Sequence, residues 1–300
     1  MGVRTLIDIE QVNRLLEKYS FTFVNLEQTI DGISDTTYIG VDKYNTQYIF
    51  KIYESADKEV LKNEIVLLNS LKNLPTPRFL LSNEKIELFD AKPIALFSYL
   101  EGESIESPSL KQVSKIGNFL GSFHNQTIGM NSINPNLYTQ NQLKKMVNNI
   151  QISSFDKFTK DDFMKRYKLI QNLKIENNCV IHGDLFPDNA KFINDTLTGV
   201  FDFIESCIGD SIFDLSVVAN SWCFNIDDSI NIEYINTLLD TYNLACKSKV
   251  EVHDIKEYML FASLFYAAQR FNTKYIEKRE VNVKDYKEYI DKFDNIYEQL

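Results

Sequence analysis

An α+β fold in two lobes is what this chain of 300 residues predicts: a small, antiparallel-sheet N-lobe over residues 1–98 and a larger, mainly helical C-lobe over residues 99–300. Three observations carry that expectation. β-Branched and aromatic runs punctuated by turn residues fill much of the stretch before residue 98. Helical spacing of apolar residues returns from Ser109 onward. Between them, Pro93-Ile94-Ala95-Leu96-Phe97-Ser98-Tyr99-Leu100 runs into the polar, glycine-containing Glu101-Gly102-Glu103-Ser104, the composition expected where two lobes join.

The elements follow in order. Asp8 to Tyr19 places Ile9, Val12, Leu15 and Leu16 at helical intervals behind a plausible Asp8 cap, so an amphipathic helix leads the chain. Phe21–Val24, Thr36–Val41 and Gln47–Tyr53 read as three strands of an antiparallel meander, separated by turns at Asp31-Gly32 and at Lys43-Tyr44-Asn45-Thr46. Lys58 to Leu74 reads as a helix that ends ahead of Pro75 and Pro77, because the residue before a proline disfavours helical dihedrals. Two further strands fit Lys85–Phe89 and Pro93–Leu100. Beyond the junction, Val113, Ile116, Phe119, Leu120 and Phe123 line one helix face that ends in His124. The last third is helical, with Leu260 to Phe271 rich in aromatic residues and alanine.

The chemistry concentrates in His182-Gly183-Asp184-Leu185-Phe186-Pro187-Asp188-Asn189 and in Val200-Phe201-Asp202-Phe203. A carboxylate, an amide five residues on and a second carboxylate at a strand end are the donors that metal-assisted phosphoryl transfer needs. In protein kinases the pattern H-R-D-x-x-x-x-N supplies an Asp that accepts the proton of the attacking hydroxyl and an Asn that holds magnesium. Asp184, Asn189 and Asp202 fit base, metal ligand and metal ligand. Asp184 and Asn189 cannot both face one ligand from a rigid strand, so the loop must turn between them, and Pro187 stiffens that turn. Ala190–Ile193 then reads as a strand, Asn194–Gly199 as a turn and Val200–Ile204 as the returning strand, which carries Asp202 back beside Asn189. Singly, each residue is as well explained by turn chemistry. The conjunction is what points to a site.

These residues, with Asn220-Ser221-Trp222-Cys223-Phe224 after the next helix, resemble the aminoglycoside phosphotransferase and choline kinase superfamily, and within it most of all the bacterial homoserine kinases of the phosphotransferase type. The resemblance implies a bilobal protein-kinase-like fold, use of ATP and Mg²⁺, and transfer of phosphate to the hydroxyl of homoserine in threonine biosynthesis. Another acceptor of the superfamily, an aminoglycoside, a choline-like amino alcohol or a sugar, stays open. So does a nucleotide-binding pseudokinase acting as an interaction module, although an intact Asp184, Asn189 and Asp202 set argues for retained chemistry.

The remaining candidates depend on that frame. Lys51 at the end of the third strand and Glu64 in the following helix match the strand Lys and helix Glu of kinase folds, where the Lys contacts nucleotide phosphates. Alone they would read as a surface lysine and one face of a charged helix. Thr29 to Thr36 stands where a phosphate loop belongs, with Gly32 its one glycine; Ser34 and Thr36 are as able to cap a turn as to donate to phosphate. The backbone of the junction is expected to meet adenine. Arg270 is the candidate for an acceptor carboxylate and Trp222 for the acceptor pocket, although a helix-end Arg also suits the helix dipole and a lone Trp also suits a core. His124 and His182 are expected to be structural. Asp214 is expected to cap its helix and to hold the loop backbone.

Composition bounds the rest. A net charge of −10 lacks the basic footprint of a nucleic-acid binder. No apolar run approaches the roughly 20 residues of a membrane span, and charges occupy the N-terminal stretch where a secretory signal would be apolar, so a cytoplasmic protein is expected. Cys179, Cys207, Cys223 and Cys246 have neither C-x-x-C pairing nor metal-ligand spacing with the histidines and read as reduced.

Overall fold

A computed structural model describes residues 5–29, 35–82, 85–131, 133–279 and 285–300. The chain forms two compact units that divide between Glu101 and Gly102.

In the first unit, helix α1 (Ile9–Leu16) starts where Asp8 accepts the Gln11 N–H while the Gln11 side chain accepts from the Asp8 N–H, a reciprocal cap that settles two otherwise unpaired donors. A single 3₁₀ turn, Glu17–Tyr19, follows. Strands β1 (Phe23–Gln28), β2 (Thr36–Asp42), β3 (Gln47–Ile52), β4 (Leu88–Phe89) and β5 (Lys92–Ser98) form one antiparallel sheet in the order β1-β2-β3-β5-β4. Val12 and Leu16 pack with Phe23, Phe50, Ile52, Ile94 and Leu96 into its core. Helix α2 (Lys58–Ser70) is capped by Asp57 and buries Leu61, Ile65, Leu67 and Leu68.

Among the boundaries that differ from the sequence reading, the strand expected over Lys85–Phe89 shrinks to Leu88–Phe89, and two others have a local cause. The first strand begins at Phe23 rather than Phe21, because the Asn13 side chain takes both backbone groups of Phe23 and fixes where the chain turns extended. Helix α2 stops at Ser70 rather than Leu74. Leu71 is already extended, and Asn73 adopts a left-handed conformation that asparagine tolerates better than most residues.

The second unit is built on α3 (Leu110–Thr127), α4 (Gln140–Ile152), α5 (Lys157–Ile170), α6 (Ser211–Trp222), α7 (Ile232–Cys246), α8 (Val252–Phe271) and α9 (Lys287–Gln299). Helices α6 and α8 are apolar on nearly all sides and lie in its core. Helix α3 meets α7 so closely that a Cβ on Gly117 would come within 2.7 Å of the Leu238 carbonyl oxygen, and one on Gly121 within 2.5 Å of that of Tyr242. Two short hairpin-like sheets carry the loops of interest: β6 (Cys179–Ile181) against β9 (Cys207–Gly209), and β7 (Ala190–Ile193) against β8 (Thr196–Val200).

The second of these corrects the expected hairpin. The turn is the two residues Asn194-Asp195, with Asn194 left-handed, and the return strand runs over Thr196–Val200 instead of Val200–Ile204. Leu197, Thr198 and Val200 suit a strand better than a long turn. Cys179, Cys207 and Cys223 are buried thiols, and burial pushes Cys207 up to about 12. Among the described residues no helix is long and apolar enough to cross a membrane.

Candidate active site

The site is a loop held by side chains of α6 and α8, with α3 and α7 behind them. Strand β6 delivers the chain to His182, and the carboxylate of Asp214 in α6 then accepts the His182 N–H at 2.8 Å and the Gly183 N–H at 2.9 Å. The same carboxylate lies 3.0 Å from His124 Nε2 in α3, whose Nδ1 lies 2.9 Å from the Tyr242 hydroxyl in α7. Burial pushes Asp214 up, but the His124 hydrogen bond and its neighbours outweigh it and hold the carboxyl below its ordinary value. It is an anion fixed by donors on every side. Asp214 does not cap α6, as the sequence reading had it; Asp210 does, accepting the Ile212 N–H.

His182 is fully buried, and burial lowers its pKa. Its Nε2 faces the Phe201 carbonyl at 3.1 Å, and a carbonyl only accepts, so that nitrogen carries the proton; Nδ1 is left to accept the Asp184 N–H at 3.3 Å. One neutral imidazole thus ties the loop to the end of β8. Gly183 sits at φ +76°, and a Cβ there would come within 2.5 Å of the Tyr138 ring. The Tyr266 hydroxyl of α8 donates to the Gly183 carbonyl, and the Trp222 indole of α6 donates to the Leu185 carbonyl at 2.9 Å.

Beyond Leu185 the chain makes a 3₁₀ turn, Pro187–Asn189, which folds Asn189 back onto Asp184. Asn189 Nδ2 donates to the Asp184 carbonyl at 2.7 Å and to its Oδ2 at 3.1 Å, which leaves Oδ1 as the amide's oxygen donor. The Phe201 N–H donates to the Asn189 carbonyl at 3.1 Å, continuing the β7–β8 ladder by one pair, and Asp202 follows in a left-handed conformation (φ 66°, ψ 59°). Burial first, then the charges of Asp202, Glu205 and Asp188, raise the Asp184 carboxyl well above its ordinary value, against the Asn189 hydrogen bond. The Asp202 carboxylate and the Asn189 amide oxygen, on segments joined by the Phe201–Asn189 hydrogen bond, are donor types suited to a hard divalent cation. The described residues hold no cluster of three or more His, Cys, Asp or Glu arranged around an ion. A cation taking one carboxylate, one amide and phosphate oxygens needs no such cage.

In the first unit, Lys51 Nζ lies 3.0 Å from Asp35 Oδ2 and 4.7 Å from the centre of the Tyr53 ring. The Tyr53 hydroxyl donates to Glu64 Oε2 at 2.7 Å, so one tyrosine touches both residues singled out in the sequence. Glu64 is buried. Gly32 and Ser34 lie outside the described residues. Thr36, considered as a phosphate donor, is fully buried and gives its hydroxyl to Glu54, which takes it out of reach of a ligand.

Two acceptor-site expectations fare differently. Trp222 is 1% exposed, with its one donor spent on Leu185 and its ring 6.2 Å from Phe192. It therefore holds the loop from beneath, and the expectation that it lines a pocket is corrected. Arg270 lies near the end of α8, where Nη1 donates to Glu288 at 2.9 Å and to the Asp285 carbonyl at 3.1 Å, and its guanidinium sits 4.3 Å over the Tyr289 ring. Sequence reasoning missed Tyr266, Glu288 and Lys292. Glu288 and Lys292 stand one helical turn apart, an ordinary surface pattern, and Tyr266 is one aromatic among several in α8.

The sequence profile of the phosphotransferase enzyme family matches residues 26–246, and the chain belongs to that family. Homoserine kinase from Methylobacillus flagellatus is 26% identical over 251 residues, covering 81% of this chain and 78% of the relative. Homoserine kinase from Zymomonas mobilis is 26% identical over 259 residues, covering 81% and 79%. Among solved structures, choline kinase LicA from Streptococcus pneumoniae superposes with a TM-score of 0.68 at 19% identity, covering 96% of this chain and 98% of that one. Spectinomycin phosphotransferase in complex with ADP and spectinomycin gives 0.65 at 16%, covering 97% and 94%. The fold is the α+β, protein-kinase-like fold of these phosphotransferases.

Proposed function

We propose that the protein transfers the γ-phosphoryl group of ATP to the hydroxyl of L-homoserine. The observation that carries the reading is the loop in which Asn189 hydrogen-bonds Asp184 and accepts from Phe201, the residue before Asp202, and the homoserine kinase relatives, aligned over about four-fifths of the chain, support the acceptor.

Asp184 accepts the proton of the attacking hydroxyl, and Asn189 fixes its carboxylate through the Nδ2 hydrogen bond. Asn189 Oδ1 and the Asp202 carboxylate are the groups that would hold Mg²⁺, whose charge would offset that of the nucleotide phosphates. Because a loose phosphoryl transition state asks for little covalent chemistry, positioning is the main task. Asp214, His182, Tyr266 and Trp222 perform it by pinning four successive residues of the loop. Lys51 is the phosphate contact in the first unit, with Glu64 its supporting carboxylate. The structural likeness to choline kinase and to spectinomycin phosphotransferase favours, as second reading, the same chemistry on another acceptor.

An ADP-release assay with homoserine, choline, aminoglycosides and hexosamines separates these readings. Selective turnover of homoserine is expected. Turnover of choline or an aminoglycoside in its place would overturn the acceptor and keep the kinase, and no turnover with any acceptor would favour the pseudokinase.

A further inference from the structure

Resting on that reading, we propose that Arg270 and Glu288 form a two-ended clamp for an α-amino acid acceptor, with Arg270 taking the carboxylate and Glu288 the ammonium, so that the pair selects the zwitterionic end while the hydroxyl goes to Asp184. The pair stands ready in the protein as an ion pair at 2.9 Å, with Arg270 15% and Glu288 42% exposed. A partly exposed pair of this kind contributes little to folding, and both members stay reachable. Among the described residues, the hydrogen bonds of the guanidinium run from Nη1, to Glu288 and the Asp285 carbonyl, while stacking on Tyr289 fixes its plane. That is the preparation a two-point grip on a carboxylate requires.

Charge balance favours exchange of partners. A zwitterion brings an anion to Arg270 and a cation to Glu288, so neither side chain is left uncompensated when their mutual contact opens. Lys292, the other cation against Glu288 at 3.4 Å, keeps a partner throughout, because it also donates to the Asn220 carbonyl at 3.0 Å. The clamp is joined to the catalytic loop by aromatic contact: Tyr289 stacks on Tyr266 at 5.4 Å, and the Tyr266 hydroxyl donates to the Gly183 carbonyl, next to Asp184. The Tyr289 phenol is pushed up chiefly by burial, with Arg270 lowering it and Glu288 and Asp184 raising it further.

The test pairs variants with truncated acceptors. In the unmutated protein, 4-hydroxybutyrate, which lacks the ammonium, and 3-aminopropan-1-ol, which lacks the carboxylate, should each show kcat/KM reduced about 10- to 100-fold from homoserine, the range expected for losing hydrogen bonds between charged groups. Glu288→Gln should raise KM for homoserine by a similar factor and leave 4-hydroxybutyrate nearly unchanged. Arg270→Gln should penalise both carboxylate-bearing acceptors and spare 3-aminopropan-1-ol, with KM for ATP constant in each variant. If homoserine is phosphorylated but the truncated acceptors match it, or the variants penalise all acceptors equally, the clamp is wrong and the kinase reading stands. If homoserine is not phosphorylated and an acceptor without a carboxylate is, both the acceptor reading and the clamp fall.

Discussion

At the scale of single residues, the account gives Asp202 and Gly183 different kinds of work. Asp202 is proposed as the anionic half of a metal-binding pair, so Asp202→Ala should raise the magnesium concentration needed for half-maximal turnover and weaken productive MgATP binding. Wild-type activity at every magnesium concentration would remove Asp202 from the metal site. Gly183 works through its backbone. At φ +76° an alanine is strained, and its methyl would press into the Tyr138 ring, so Gly183→Ala should destabilise the fold by about 1–3 kcal/mol in chemical denaturation. It should also lower kcat by displacing Asp184, and an unaltered midpoint with unaltered kcat would show that the loop does not depend on that conformation. Asp184, Asn189 and Asp202 could be put forward from the sequence because residue types and spacing are local information. Arg270 was legible as a cation but its partner was not, since no short-range pattern says that α9 will bring Glu288 to it.

At the scale of elements, sequence signals worked where the physics is local and failed where a distant group intervenes. Asp8 and Ser109 cap their helices as their types suggest, and the meander of β1 to β3 appears at its β-branched runs. The start of β1 was misplaced because Asn13 decides it, ten residues upstream. Strands β6 and β9, three residues each, carry too little pattern to see alone. Glu54, just after β3, is another such long-range element. It accepts from the Thr5 N–H and hydroxyl, from Thr36 in β2 and from Lys92 in β5, tying the start of the chain to the sheet. Burial pushes its carboxyl up, yet the Lys92, Thr36 and Thr5 hydrogen bonds prevail and bring it from 4.5 to about 2. A carboxylate depressed on folding adds stability that is complete above its unfolded pKa and is lost as the pH falls through its folded one. The stability difference between the wild type and Glu54→Gln should therefore be constant at neutral pH and shrink as the pH drops from 4.5 toward about 2. Urea unfolding along that series checks it, and a difference independent of pH would mean that these contacts do not stabilise the ionised form.

At the scale of the whole molecule, the decisive fact is that an acidic chain, net charge −10, is assigned a polyanionic nucleotide as substrate. Overall charge does not attract it, so on the proposed reading positive charge would be supplied locally, by Lys51 and by a divalent cation held by Asn189 and Asp202. The match of the family over residues 26–246 spans parts of both compact units. The central claim is that Asp184 drives phosphoryl transfer to homoserine, and its most direct measurement is phosphorus NMR of ATP, Mg²⁺ and L-homoserine with the wild type and with Asp184→Asn. The account predicts a phosphomonoester of homoserine forming in step with ADP for the wild type, and a rate about 10²- to 10⁴-fold lower for the variant with its fold and nucleotide affinity retained. Wild-type protein that forms no phosphohomoserine, or a variant that forms it at the wild-type rate, would contradict it.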